Sequence, residues 1–182
     1  MSDNLLPPNE RRQTDSDGHD ILQPLYVGII TVTSTRDIQN DPGGDKAEEL
    51  VDNQNGVVTR REVVQDDVAE IQKTVKSLAR SEYVDCVVTT GGTGVTVDDV
   101  TPEACSRLFE RDIPGFGELF RQISYEEIGH RAMASRATAG IVINTPVFCL
   151  PGSKGAVQTG MSKLILPEAP HLAGLASSHQ IE

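Results

Sequence analysis

A glycine run followed by two carboxylates is the part of the sequence best suited to chemistry. The segment TTGGTGVTVDDVTPE spans residues 89–103, and its loop residues are Gly91, Gly92, Thr93 and Gly94. Glycines let backbone N–H groups approach an anion because no Cβ intervenes. The loop lacks the Gly-Lys-Ser/Thr of a P-loop and the spacing of a dinucleotide-binding fingerprint. The pattern predicts a phosphate-binding loop, with a tight turn that binds no ligand as the alternative.

Carboxylates occur at two places that the fold could bring to this loop. Asp98 and Asp99 follow it directly, and Asp66 and Asp67 close an earlier predicted strand. Mg²⁺ prefers one or two carboxylates together with phosphate oxygens and water. Asp99 and Asp66 are therefore candidate magnesium ligands. The alternatives are a solvated loop for Asp99 and a helix cap for Asp66.

Further polar residues could bind an anionic substrate. Arg136 precedes an apolar strand, where it could hold a phosphate through two parallel hydrogen bonds or form an ordinary surface salt bridge. Ser124 and Ser135 offer hydroxyl groups. The four histidines have neither metal-ligand spacing nor a catalytic-triad pattern.

The elements that must position these residues alternate between strand and helix. The residue pattern predicts strands at 26–33, 57–65, 85–90, 140–143 and 147–150. It predicts helices at 45–53, 67–80, 101–110, 116–130 and 154–166, with a short final one after Pro167. Alternation of this kind favours an α/β three-layer αβα sandwich with a mostly parallel sheet. Because ligands lie beyond the carboxyl ends of parallel strands, loops 34–44, 91–99 and 151–155 should converge on one crevice.

Composition separates a polar N-terminal segment from the rest. Residues 1–23 are predicted to be a flexible tail, and residues 24–182 a single domain. Aromatic residues make up 4% of the chain and Trp is absent, so the core must be built from aliphatic side chains. Cys86, Cys105 and Cys149 lie in apolar segments, which predicts buried free thiols and a reducing compartment.

The formal net charge of −11 argues against nucleic acid or an anionic membrane as partner. Phosphorylated substrates would then need local positive potential from backbone N–H groups or a metal ion. Adaptation to high salt is a second explanation of the acidity. No apolar run reaches 18 residues, and the first residues lack an apolar signal core, so a cytoplasmic location is expected.

Four ordered segments resemble one known family. These are TTGGTGVTVDDVTPE, IPGFGELFRQIS, SRATAG and LPGSKGAV, within a resemblance that covers residues 26–173. Together they resemble the molybdenum cofactor biosynthesis family of the MogA/MoaB type, which is related to plant Cnx and gephyrin domains. The resemblance implies Mg²⁺-dependent transfer of AMP from ATP to molybdopterin, with release of pyrophosphate. It also implies a homo-oligomer, trimer or hexamer, and a downstream enzyme that inserts molybdenum or tungsten.

The resemblance also assigns roles to residues. It places Asp66 and Asp99 as the essential acids that organise Mg²⁺, and the loop from Gly91 to Gly94 as the nucleotide and phosphate site. The positions that it associates with molybdopterin are Ser124, Ser135, Arg136, Pro151, Gly152 and Ser153.

Two departures bear on activity. Many relatives carry a basic residue where this chain has Asp98, and the first loop, residues 33–37, orders its polar groups differently. A non-catalytic homologue that binds molybdopterin or a nucleotide, as carrier or assembly partner, is therefore a second hypothesis. A domain that acts on other nucleotides is a third.

Overall fold

The computed structural model describes residues 5–35 and 40–177. Its strands are β1 (Arg12–Thr14), β2 (Asp20–Leu22), β3 (Tyr26–Val32), β4 (Val57–Val64), β5 (Cys86–Thr90), β6 (Arg111–Asp112), β7 (Thr138–Val142) and β8 (Thr145–Leu150). Its α-helices are α1 (Pro8–Arg11), α2 (Pro42–Asn53), α3 (Val68–Ala79), α4 (Thr101–Ser106), α5 (Pro114–Ile128), α6 (Lys154–Gly160) and α7 (Leu166–Ser177). A 3₁₀ turn (Gly129–Ala134) follows α5, and a π-helical turn (Met161–Ile165) joins α6 to α7.

The six-stranded central sheet has the order β4-β3-β5-β8-β7-β6. The pairs β4/β3, β3/β5 and β5/β8 are parallel, whereas β8/β7 and β7/β6 are antiparallel. Every residue of β3, β5 and β8 is buried, because helices cover both faces of the parallel part. The predicted three-layer α/β fold is confirmed.

Successive residues of the central strands supply two hydrophobic cores, because side chains alternate across a sheet. On one face Ile29, Val88 and Phe148 pack with residues of α2, α5 and α6. On the other, Ile30 and Val87 pack with residues of α3 and α4. Truncating such a fully buried side chain to Ala typically costs about 2–5 kcal/mol, so the parallel strands hold the loops at their carboxyl ends rigidly.

The described part of the N-terminal segment is folded, in contrast to the flexible tail expected at residues 1–23. Residues 1–4 lie outside the described part, but α1, β1 and β2 pack against the domain. Arg11 is 1% exposed, and its guanidinium forms hydrogen bonds of 2.5 and 2.9 Å to the carboxylate of Asp85. A Cβ on Gly174 of α7 would overlap the carbonyl oxygen of Asp20, so this glycine permits the close packing of β2. These contacts cannot be predicted from the polar composition of the segment.

Several element boundaries differ from those predicted. Helix α2 begins at Pro42 rather than at residue 45, because Asp41 caps it by accepting a hydrogen bond from the N–H of Gly44. Val100 rather than Thr101 is the N-cap of α4, which ends at Ser106. A two-residue turn, Ile143 and Asn144, joins β7 and β8 as a hairpin.

No helix in the described ranges is both long enough and apolar enough to span a bilayer. Cys86, Cys105 and Cys149 are buried and free, as their apolar surroundings predict.

Candidate functional site

The glycine loop leaves the carboxyl end of β5 in a conformation that favours glycine. Gly91 has φ of 97° and Gly92 has φ of 64°, both in the region that residues with a Cβ rarely adopt. A Cβ on Gly91 would overlap the carbonyl oxygen of Val32, the last residue of the neighbouring strand β3. Close packing against the sheet, as well as turn geometry, therefore requires these glycines.

Asp66 lies beside this loop, as predicted. It follows β4, and its Oδ2 accepts a hydrogen bond of 2.8 Å from Oγ of Ser34, in the loop after β3. Its Oδ1 is 3.1 Å from the position that a Cβ on Gly92 would take. The hydroxyl of Thr101 approaches the same position, is fully buried and has no hydrogen-bond partner within the described residues. Asp67, rather than Asp66, caps the following helix.

The side chain of Asp99 packs against Gly94, the last residue of the glycine loop. Its Oδ2 accepts hydrogen bonds of 2.9 Å from the N–H and 2.6 Å from the hydroxyl of Thr96, and it lies 2.7 Å from a Cβ position on Gly94. The pKa of Asp99 is lowered, mainly by the hydrogen bond from the Thr96 hydroxyl. Backbone N–H groups and the charge of Arg136 lower it further, whereas partial burial raises it. Asp99 is therefore ionised at neutral pH, as a metal ligand must be.

Arg136 holds the loop in place. Its Nε donates to the carbonyl oxygen of Gly94 and its Nη2 to that of Asp99, both at 2.6 Å. Its Nη1 pairs with Glu103 of α4. The guanidinium is thus committed to protein groups, which matches the salt-bridge interpretation of Arg136 rather than a free phosphate ligand.

A cleft of about 330 Å³ opens on one side of the loop. It gathers most of the positions at which the resemblance predicts pterin binding. Of those positions it is lined by Ser124, Ser135, Pro151 and Ser153, and Thr93 and Gly94 of the predicted phosphate loop line it as well. Phe120, Ile128 and Ala156 give it apolar walls, while Glu127 and Arg131 are its charged residues. An aromatic heterocycle with polar edges suits such a lining.

A second depression of about 350 Å³ is lined by the segment that directly follows the loop. Asp99, Arg136 and Glu103 line it together with three valines, Val95, Val97 and Val100. Val97 is 93% exposed. Arg136, through its hydrogen bond to Gly94, therefore connects a site with serine hydroxyls to a site with an ionised carboxylate.

Asp41 is a functional-site neighbour that the sequence reasoning missed. It is fully buried, and its carboxylate accepts hydrogen bonds from Thr31 at 2.5 Å and Arg61 at 2.9 Å. Burial alone would raise its pKa, but hydrogen bonds from Thr31, the Gly44 N–H and Arg61 lower it. The sequence Asp-Pro at residues 41–42 is a helix-start signal that could have identified it.

The helix that Asp41 caps supports the Pro151-Gly152-Ser153 turn. A Cβ on Gly43 would lie 3.0 Å from the carbonyl oxygen of Gly152. Gly152 therefore packs against α2, and it is not among the residues that line the cleft. Arg36 and Asp37 of the first loop lie outside the described residues.

The residues present fit a magnesium ion that also binds substrate. Asp66 and Asp99 contact glycine positions two residues apart, and the unpartnered hydroxyl of Thr101 lies next to Asp66. All three offer oxygen atoms, which Mg²⁺ prefers. Within residues 5–35 and 40–177, the only cluster of three potential metal-binding side chains is Asp15, Asp17 and His19 in the N-terminal hairpin. Any metal at the glycine loop would hence take further ligands from substrate and water.

Residues 28–171 match the family model described as "Probable molybdopterin binding domain". The chain is 48% identical over 145 residues to molybdenum cofactor biosynthesis protein B of Bacillus cereus, covering 79% of this chain and 86% of that one. It is 43% identical over 154 residues to the protein of that name from Staphylococcus epidermidis, covering 82% and 88%.

Solved structures agree with this similarity. A crystal structure of molybdenum cofactor biosynthesis protein B has a TM-score of 0.82 at 45% identity, covering 85% of this chain and 96% of that one. The tungsten cofactor synthesizing protein MoaB from Pyrococcus furiosus has a TM-score of 0.75 at 36% identity, covering 85% and 98%.

Proposed function

Because the chain belongs to the family of probable molybdopterin binding domains and has a role in molybdenum cofactor biosynthesis, we propose that it is a molybdopterin adenylyltransferase. The proposed reaction transfers AMP from ATP to the phosphate of molybdopterin. The new bond joins the molybdopterin phosphate oxygen to the α-phosphorus of ATP. The bond to the β-phosphate breaks, and pyrophosphate leaves.

One observation carries this proposal. Gly94 lines the serine-bearing cleft, and its carbonyl oxygen is held by Arg136, which lines the depression containing Asp99. Two substrates that occupy these neighbouring sites would therefore meet at the glycine loop. Transfer between two phosphates requires this kind of juxtaposition, because positioning and charge stabilisation supply most of the rate enhancement.

The protein groups have distinct proposed roles. Backbone N–H groups of the glycine loop bind phosphate oxygens, and the serines of the cleft orient molybdopterin. Asp66 and Asp99 would hold Mg²⁺, which when bound supplies positive charge to the phosphates of ATP. No side chain needs to act as nucleophile or base, since the acceptor is already an ionised phosphate.

The proposal is tested by incubating the protein with molybdopterin, Mg²⁺ and ATP. Adenylylated molybdopterin and pyrophosphate should appear in equal amounts, and neither should form without Mg²⁺. Binding of molybdopterin and ATP without product would instead support the second hypothesis, a non-catalytic carrier. The presence of Asp98, where the resemblance to the family leads us to expect a basic residue, supports this hypothesis.

Self-assembly is part of the same proposal. Four large apolar side chains on α5 and the 3₁₀ turn are exposed, namely Leu119, Tyr125, Ile128 and Met133. Apolar patches of this kind are typical of protein interfaces, and a closed trimer or hexamer would cover them. Light scattering should give the mass of one of these assemblies, and a monomeric mass at micromolar concentration would reject this part. A downstream metal-insertion enzyme remains a proposed partner.

A further inference from the structure

The cleft that receives the proposed pterin substrate has a single cationic side chain in its described lining. That residue is Arg131, which lies in the 3₁₀ turn after α5. The hydroxyl-bearing residues Ser124, Ser135 and Ser153 line the same cleft, and Glu127 is the only acidic side chain among the described residues that line it. With a net charge of −11 for the whole chain, a local positive charge decides whether an anion enters this cleft favourably.

The two other arginines near the cleft, Arg121 and Arg136, already have protein partners. Arg136 binds two carbonyl oxygens and Glu103. Arg121 donates to the carbonyl oxygens of Ser135 and Ala137. By contrast, Arg131 makes no ion pair or side-chain hydrogen bond within the described residues. An exposed guanidinium without a protein partner has all its N–H donors available for a ligand.

Glu127, the acidic residue of the cleft, pairs with residues other than Arg131. Glu127 accepts hydrogen bonds of 2.8 Å from Lys163 and 2.7 Å from Thr159. The hydrogen bond from Lys163, followed by that from Thr159, lowers the pKa of Glu127 despite slight burial. The charge of Glu127 is thus directed toward α6 and the π-helical turn, and Arg131 remains as the unpaired charge facing the cleft.

We propose that Arg131 binds the phosphate group of the pterin substrate and thereby sets the affinity of this protein for phosphorylated pterins. The inference rests on the proposed function, since it takes the cleft as the pterin site. A guanidinium can donate two parallel hydrogen bonds to a phosphate, which gives both charge neutralisation and orientation.

The experiment measures equilibrium binding of two ligands without ATP. These are anaerobic molybdopterin and the same pterin dithiolene after enzymatic removal of its phosphate. The variants are Arg131→Gln, Arg131→Lys and, as a control for net charge, Arg80→Gln. Arg80 is exposed and lines a depression with Asp85 and Thr145, which lie at the amino ends of their strands. Arg131→Gln should weaken binding of molybdopterin about tenfold, the typical effect of losing a charge-assisted hydrogen bond.

Three further results are expected if the inference is correct. Arg131→Lys should retain most of the affinity, because its charge remains. Binding of the dephosphorylated pterin should be equal in wild type and Arg131→Gln. The salt dependence of molybdopterin binding should become shallower in Arg131→Gln, since one screened charge interaction is lost.

Other outcomes overturn the inference. These are wild-type affinity in Arg131→Gln, equal weakening of both ligands, the same loss in Arg80→Gln, or a changed oligomeric mass of Arg131→Gln. Failure of the proposed function is distinguishable from these, because it appears in the wild-type protein. Wild type that binds neither ligand would reject the pterin site itself, whereas wild type that binds both but forms no adenylylated product would reject only the catalysis.

Discussion

Arg136 is bound to Asp99 through the main chain, since its Nη2 donates to the carbonyl oxygen of Asp99 at 2.6 Å. The Nε of the same guanidinium donates to the carbonyl oxygen of Gly94 at 2.6 Å. One planar group therefore fixes both ends of the segment that carries the proposed metal ligand. Arg136 acts as a positioning residue for Asp99.

Arg136→Lys should lower kcat about tenfold, because one ammonium group cannot reproduce this fork of hydrogen bonds. The KM for molybdopterin should change less than twofold, and the unfolding midpoint by only a few degrees. Steady-state kinetics and thermal unfolding of the same samples test this. A raised KM with normal kcat would instead show that Arg136 binds substrate directly.

Asp99→Asn should reduce AMP transfer on the order of 100-fold, as expected when a group that stabilises transition-state charge is neutralised. The amide oxygen can still accept the hydrogen bonds from Thr96, so the loop should keep its conformation. Asp98→Asn is the matched control, and it should keep activity or bind ATP more tightly because it removes an adjacent negative charge. Equal loss in the two variants would contradict the assignment of Asp99. Pyrophosphate release measures both.

Gly92→Ala should destabilise the protein by about 1–3 kcal/mol, because it combines a strained positive φ with steric overlap. The added methyl group would push against Thr101 and Asp66, so AMP transfer should fall as well. Gly115→Ala is the control, since a Cβ there meets no atom within 4 Å. Ala is also a better helix former, so this control should be neutral or slightly stabilising. Denaturant unfolding that gives equal values for the two variants would refute the steric argument.

Asp41 and Asp45 share Arg61 as partner, but their side chains are 0% and 62% exposed. Asp41→Asn should cost about 1–3 kcal/mol, because the amide cannot fully replace the buried carboxylate as acceptor for Thr31 and Arg61. Asp45→Asn should cost less than about 1 kcal/mol, as is usual for exposed ion pairs. Urea titrations at pH 7 measure both, and equal losses would contradict the role of burial.

The carboxylate of Asp41 also predicts how the free energy of unfolding depends on pH. Since the pKa of Asp41 is lowered from its ordinary value of 3.8 in the folded state, the unfolded chain binds more protons at acidic pH. The stabilisation from Asp41 is therefore complete above about pH 5 and is lost as pH falls through the folded-state pKa. Asp41→Asn should flatten this part of the stability curve. If the variant loses stability below about pH 5 as steeply as the wild type does, other carboxylates cause that loss.

Arg11→Ala should cost about 3–5 kcal/mol, because it leaves Asp85 buried without a counter-charge. The double replacement of Arg11 by Met and Asp85 by Leu should recover part of this loss, since no unpaired charge then remains. Arg12→Ala serves as the comparison, because the ion pair between Arg12 and Asp20 is partly exposed. Its loss should lower the free energy of unfolding by less than about 1 kcal/mol. Unfolding data for the three variants test how firmly the N-terminal segment is held.

The central elements were predictable from sequence because they obey local rules. The apolar runs that predicted β3, β5 and β8 are buried strands, and the glycine loop follows β5 as its composition indicates. The proximity of Asp66 to Gly92 followed from a topological rule, since parallel strands place their carboxyl ends at one edge of the sheet. Local pattern and global fold agree at these positions.

Contacts between distant residues could not be predicted in the same way. The burial of Arg11 depends on Asp85, 74 positions along the chain, so a polar composition gave no sign of it. The commitment of Arg136 to carbonyl oxygens likewise depends on the path of the loop. Charged side chains that bind specific protein groups have the same local signature as solvated ones, and only the three-dimensional arrangement distinguishes them.

The packing of β2 against α7 brings the N-terminal hairpin and the last helix of the described fold side by side. The neighbouring pair of Arg11 and Asp85 lies at the amino end of β5, whereas the glycine loop lies at its carboxyl end. The two ends of the fold could thus be joined by a short engineered linker, and the chain reopened at a surface turn. Such a circular permutant should keep the residues of both proposed substrate sites in place while changing the order in which the ribosome makes them.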